Sequence, residues 1–139
     1  MALPHAHPDD VVDLLPSSAA PSPVSVSLLR TDKLQLMRLV LPAGHLMPGH
    51  SVPGELTIQC LQGRVEIGTP QGPRALSAGQ LVALAGGEPH DVRATEAAVL
   101  LVAGGVLMFI AAANLLREAL PERVELTAVP FFAQTRSEE

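Results

Sequence analysis

A chain of 139 residues is one domain's worth of sequence, and a hydrophobic content of 47% is that of a packed globule rather than a disordered chain. A net charge of -5, no block of basic residues, no Trp, no Tyr and three Phe exclude the footprint of a nucleic-acid binder, which needs phosphate-neutralising Lys and Arg and aromatic stacking platforms. The single Cys60 rules out an internal disulfide and indicates a reducing compartment. With no charged start and apolar run in Met1–Pro8 to mark a secretory signal, a cytoplasmic location is expected.

Residues 1–22 read as a flexible N-terminal arm, rich in proline and small residues. His5 and His7 are spaced like a metal pair there, but nothing nearby would hold the chain still. Residues 23–104 carry a pattern of short strands. Val24–Leu29 alternates with serine, so that one face is buried and one wet. After a Thr31-Asp32 turn, Lys33–Leu41 places Leu34, Leu36 and Arg38 on one face and Gln35, Met37 and Leu39 on the other. Pro42-Ala43-Gly44 then leads into a segment where Pro48-Gly49 and Pro53-Gly54 bracket His50. Proline presets φ and glycine accepts positive φ, so His50 is expected on a short, stiff piece between two turns.

Glu55–Leu61 reads as the next strand, bounded by Gly63, and Arg64–Ile67 returns beside it. Gly68–Pro73 is a hairpin-type loop and Arg74–Leu76 a short edge strand. Ser77-Ala78-Gly79 turns the chain into Gln80–Leu84, and the tight loop Ala85–Pro89 delivers His90. His90–Ala94 and Ala97–Ala103 complete the set. Short strands with turn signals every eight to twelve residues, and no strand-helix alternation, predict an all-β sandwich or small barrel.

Residues 105–139 are expected to form a C-terminal helix and tail. Val106–Leu120 has helical build, ends at Pro121, and is apolar all round in its first two turns, which a solvent-facing helix would not tolerate. It is expected to pack on the barrel or on a partner subunit, and a homodimer follows from that apolar surface. Val124–Val129 reads as an added edge strand and Phe131-Phe132 as a hydrophobic anchor. The uncharged stretch Ala97–Leu116 has the length of a membrane span, but Gly104-Gly105 cuts it into a buried strand followed by a buried helix, so no membrane is expected.

Two glycine-histidine motifs carry the specific information. Gly44, His50 and Gly63 fall on the pattern glycine, five residues, His-x-His, three or four residues, glutamate, six residues, glycine; the second histidine position is Val52 and the glutamate position is Leu56, with Glu55 one residue early. Gly79, Gly87 and His90 fall on the pattern glycine, five residues, proline, one residue, glycine, two residues, histidine, with Ala85 in place of the proline. In this order and spacing, over residues 40–103, the chain resembles the cupin superfamily, as a small RmlC-like jelly roll with a degenerate metal motif. The resemblance implies an all-β double-stranded β-helix, a divalent metal such as Fe, Ni, Mn, Cu or Zn held in the barrel mouth, and chemistry of the dioxygenase or isomerase kind.

His50 and His90 are the expected anchors, since neutral imidazole is the commonest protein ligand for these metals. A third ligand is needed. Strand parity decides whether Glu55 supplies it. If Leu56, Ile58 and Cys60 face the core, Glu55 faces away; if Pro53-Gly54 shifts the register by one, His50, Glu55 and His90 form a facial triad. The better apolar core and the spacing to Gly63 favour the first register. Glu88, two residues before His90, and His45, across the Pro48-Gly49 bend, are the other candidates. Cys60 reads as a small buried hydrophobe, since no base is evident beside it. Arg64 reads as a surface residue, or as one that orients an anionic ligand at the rim. Two function classes follow: a metal-assisted enzyme using His50, His90 and a carboxylate, and a small-molecule binding barrel in which the histidines orient a ligand in an apolar pocket. A pocket closed by Val52 and Leu56 favours the second.

Overall fold

The computed structural model of the chain describes residues 6–16 and 25–105. The expected C-terminal helix, the strand over 124–129 and the Phe131-Phe132 anchor lie outside the described residues. Within them the chain is all-β, with nine strands: β1 Val26–Arg30, β2 Gln35–Leu41, β3 Leu46–His50, β4 Leu56–Gln62, β5 Arg64–Thr69, β6 Gly72–Ser77, β7 Leu81–Leu84, β8 His90–Ala94 and β9 Ala98–Gly104. They form two antiparallel sheets, one in the order β1-β2-β9-β4-β7 and one in the order β3-β8-β5-β6, which pack face to face as a jelly roll.

Register follows from alternation. In β4, Leu56, Ile58 and Cys60 are buried while Thr57 and Gln59 are partly wet, so the apolar set faces the core. Across the larger sheet the ladders align three inner layers: Gln35, Gly104 and Leu56; Met37, Val102 and Ile58; Leu39, Leu100 and Cys60. The opposing sheet supplies Met47, Val65, Ile67, Leu76 and Val92. Fully burying each such aliphatic side chain contributes roughly 1.5–3 kcal/mol, so this shared interior holds the two sheets together.

Eight of these strands match the sequence reading to within three residues. The ninth, β3, does not: its Pro48-Gly49 reads as a turn, yet it lies inside a strand. Pro48 is accommodated because β3 is an edge strand and the ladder is irregular between Met47 and His50. The uncharged stretch that begins at Ala97 enters the fold as β9, a strand paired on both sides. Among the described residues no helix is long and apolar enough to cross a membrane.

The described part of the N-terminal arm is tied to both β1 and β2. Ala6 bridges Leu29, its N–H donating to the Leu28 carbonyl at 3.0 Å. Arg38, buried on the outer face of β2, donates from one guanidinium nitrogen to the carbonyls of Asp13 and Leu14, each at 3.5 Å. The closing glycine of the first motif has a steric cause. Gly63 has φ +78°, and a Cβ there would overlap the Ala97 carbonyl oxygen and stand 2.8 Å from its carbon.

Candidate functional site

Pro48 and Gly49 place His50. From Met47 to His50 the chain advances three residues while the facing strand advances only two, from Val92 to His90. Strict alternation would turn His50 to the opposite face from Met47. The extra residue is a β-bulge that restores the parity, so Met47 and His50 both face the interior and His50 stands across from His90. The imidazole rings are 4.3 Å apart between centroids and inclined by 57°.

Two interlocked loops brace the pair. The Gly87 N–H donates to the Val52 carbonyl at 2.6 Å, tying the loop before β4 to the loop before β8. Gly86 packs so closely that a Cβ there would come 2.6 Å from the Pro53 carbonyl oxygen.

Each ring is also fixed by the backbone two residues before it. Nδ1 of His50 lies 3.3 Å from the Pro48 carbonyl oxygen, and Nδ1 of His90 lies 3.1 Å from the Glu88 carbonyl oxygen. A carbonyl oxygen only accepts, so both Nδ1 atoms carry the proton, and in the neutral rings both Nε2 atoms keep a free lone pair. Burial lowers the pKa of His50 and the neighbouring His90 lowers it further, against a smaller opposing effect of the Pro48 carbonyl. His50 is therefore neutral near pH 7.

These rings line a cavity of about 40 Å³ between the sheets, whose other walls are apolar: Met37, Leu39, Met47, Val52, Leu56 and neighbouring aliphatics. All four ligand positions of the two motifs, His50, Val52, Leu56 and His90, meet in this one cavity. Half of them are hydrocarbon. The residues therefore do not fit a hard divalent ion held by three histidines and a glutamate.

The carboxylates named from sequence are elsewhere. Glu55 is exposed and borders a separate hollow with Leu34, Thr57 and Ala83 on the other side of β4, so the facial triad of His50, Glu55 and His90 is not assembled. That hollow follows from the register of β4, which sends odd-numbered residues outward. Glu88 turns its carboxylate back to accept from the Ala85 N–H at 3.1 Å, capping its own loop. His45 is half-buried but is not among the cavity walls. Among the described residues no cluster of three or more His, Cys, Asp or Glu could hold a metal ion. Cys60 is fully buried, burial pushes its thiol pKa up, and its Sγ approaches the carbonyls of Gln62 and Gly63 at 3.4 and 3.5 Å, as befits an inert core thiol. Arg64 is exposed, and its carbonyl oxygen anchors Thr95 and Glu96.

Sequence reasoning missed the two methionines of the cavity. Met37 is legible as an inward residue of β2, but Met47 sits on the strand that the Pro-Gly pair conceals. A second buried feature was also silent. Gln35 is fully buried at the end of β2, and among the described residues neither its side-chain oxygen nor its nitrogen meets a hydrogen-bond partner.

No family model matches the chain, and no curated protein matches it. Solved structures do. A conserved protein of unknown function from Streptococcus pyogenes is 24% identical with a TM-score of 0.60, over 76% of this chain and 94% of that one. An RmlC-like cupin family protein with a double-stranded β-helix fold from Methanocaldococcus jannaschii is 17% identical with a TM-score of 0.60, over 77% of this chain and 99% of that one. The DMSP lyase DddQ of Ruegeria pomeroyi DSS-3 is 30% identical with a TM-score of 0.51, over 54% of this chain and 39% of the lyase. This chain therefore spans well under half of that enzyme, and what these likenesses establish is the fold.

Proposed function

We propose that this chain, which has the double-stranded β-helix fold of the RmlC-like cupins, is a binding barrel that holds one small occupant through the Nε2 lone pairs of His50 and His90. The observation that carries this reading is the tautomer lock: both Nδ1–H groups are committed to backbone carbonyls, so two acceptors are presented inside an otherwise apolar cavity. A preformed apolar pocket with a few convergent polar atoms is what small-ligand recognition requires. About 40 Å³ suits an ion or a molecule of few heavy atoms rather than a sugar or nucleotide. Val52 and Leu56 at the other two motif positions remove the carboxylate and imidazole that an elaborate active site would need.

The likeness to a DMSP lyase is the observation that favours a catalytic reading, a metal-dependent enzyme using His50, His90 and Glu55 or Glu88. Both carboxylates are directed away from the cavity, so that reading lacks its base and its third ligand.

Long-range proton–nitrogen NMR of the imidazoles tests the proposal. The free protein should show both rings as Nδ1–H tautomers, and titration with a panel of small phenols, alcohols and metal ions should shift both Nε2 resonances with one member. The paired change His50→Ala, His90→Ala should abolish that binding and keep the fold. An occupant that binds the paired variant equally well would sink the proposal.

A further inference from the structure

We infer that the occupant is monovalent copper, held by the two imidazole Nε2 atoms together with the thioether sulfurs of Met37 and Met47. This rests on the binding reading above and names its ligand.

Four heteroatom-bearing side chains wall the cavity: His50 and His90 from β3 and β8, Met47 from β3, and Met37 from β2 on the opposing sheet. Met37, Met47 and His90 are 3%, 3% and 5% exposed and His50 is half-buried, so three of the four donors are shielded from bulk water and His50 stands at the mouth. Centroids 4.3 Å apart bring two rings close enough for both Nε2 atoms to meet one ion at the usual bond length of about 2 Å.

Charge and softness then select the metal. Imidazole nitrogen and thioether sulfur bring no charge as ligands, and among the described residues no carboxylate or thiolate lines the cavity to offset the charge of an ion. The cost of placing an ion in an apolar site rises with the square of its charge, so a divalent ion is penalised roughly four times as heavily as a monovalent one. Thioether sulfur is a soft ligand that favours Cu(I), and imidazole suits copper in either state. Hard ions such as Mg²⁺ and Mn²⁺ want oxygen donors, which the cavity lacks. Each metal-bound ring would also have its outward N–H hydrogen-bonded to a backbone carbonyl, the arrangement that orients histidine ligands and raises their basicity. Cys60, the other soft donor, lies in the next layer inward and is not a wall of the cavity.

The test is an anaerobic titration of the full, untagged chain with the acetonitrile complex of Cu(I), with bicinchoninate as competitor and Zn²⁺ as the comparison ion. The expected result is one Cu(I) per chain, with copper X-ray absorption showing both nitrogen and sulfur scatterers. Met37→Leu and Met47→Leu, which conserve volume, should each weaken Cu(I) by roughly ten- to a hundredfold, the scale seen when groups that support a metal site are lost. Neither should alter Zn²⁺ affinity, and Cys60→Ser should alter nothing. Absence of sulfur scattering, which is read on the unmodified protein, overturns the inference, as does Cu(I) affinity unchanged in both methionine variants or lost in Cys60→Ser. If Cu(I) does not bind but a small phenol or another ion shifts both Nε2 resonances, the copper assignment fails and the binding reading stands. If nothing shifts either ring, both fail.

Discussion

His50 stands directly across from His90 in the β3–β8 ladder because a bulge absorbs the one extra residue that the strand carries between Met47 and itself. The bulge at Pro48-Gly49 keeps the imidazole facing inward despite that residue. It also supplies the Pro48 carbonyl that accepts the Nδ1–H. One irregularity thus preserves the direction of the ring and fixes its tautomer.

Removing the bulge should therefore regularise the ladder without turning the ring away. Deleting Gly49 leaves two residues from Met47 to His50, matching the two from Val92 to His90, so His50 should keep its inward face. Its reactivity toward diethylpyrocarbonate, read by mass spectrometry, should stay at the wild-type level; a severalfold rise would show that the bulge itself holds the ring inward.

Refilling the motif should build the divalent metal site that the present residues do not fit. The double change Val52→His, Leu56→Glu places an imidazole and a carboxylate on the cavity wall beside His50 and His90. Without metal, the buried carboxylate should lower stability by about 2–5 kcal/mol. Ni²⁺ or Zn²⁺ should restore the melting temperature in a thermal scan, and Glu55→Gln should leave that recovery untouched, because Glu55 is exposed on the far side of β4.

Stability should fall on acidification. The folded state holds the pKa of His50 below its ordinary value of 6.5, so between the two values the unfolded chain binds more protons than the native one. This contribution is complete above pH 6.5 and is lost as pH drops through the lowered folded value. Urea melts between pH 7.5 and 5 should show the decline, and His50→Phe should flatten it. An unchanged slope in that variant would assign the effect to other groups.

Gln35 should be better replaced than kept, as far as stability is concerned. Its fully buried amide has neither atom hydrogen-bonded among the described residues, which costs more than an apolar group of similar volume would. Gln35→Met should raise the free energy of unfolding by about 1–3 kcal/mol in urea melts. A loss of stability would mean that the amide is satisfied in solution.

Gly63→Ala should be among the most damaging single-methyl additions in the barrel. The new Cβ would overlap the Ala97 carbonyl and would also require a left-handed residue to carry a side chain, for a cost of about 2–4 kcal/mol. Denaturant midpoints compared with the wild type measure it.

Which of these features could be read from the residues follows from the range of the forces that set them. Alternation in Leu56, Ile58 and Cys60 identified β4 and its inward face, because burial on a pleated strand repeats every second residue regardless of what lies opposite. The same parity excluded Glu55 from the interior. Motif glycines such as Gly63 were visible because only glycine takes the backbone geometry required. Pro48-Gly49 concealed β3 because proline and glycine signal a turn locally, and only an edge position with a bulge lets them stay in a ladder.

By itself, then, the sequence determined the all-β class, the place of most strands along the chain and the two histidines, all of which rest on short-range periodicity and turn chemistry. The tertiary structure alone decided which side chains meet. Met37, Met47, Val52 and Leu56 join His50 and His90 because strands distant in the chain pack face to face, and Glu88 stays away because its carboxylate caps its own loop. Contacts of that kind depend on the register between strands and on one bulge, which no local pattern of residues encodes.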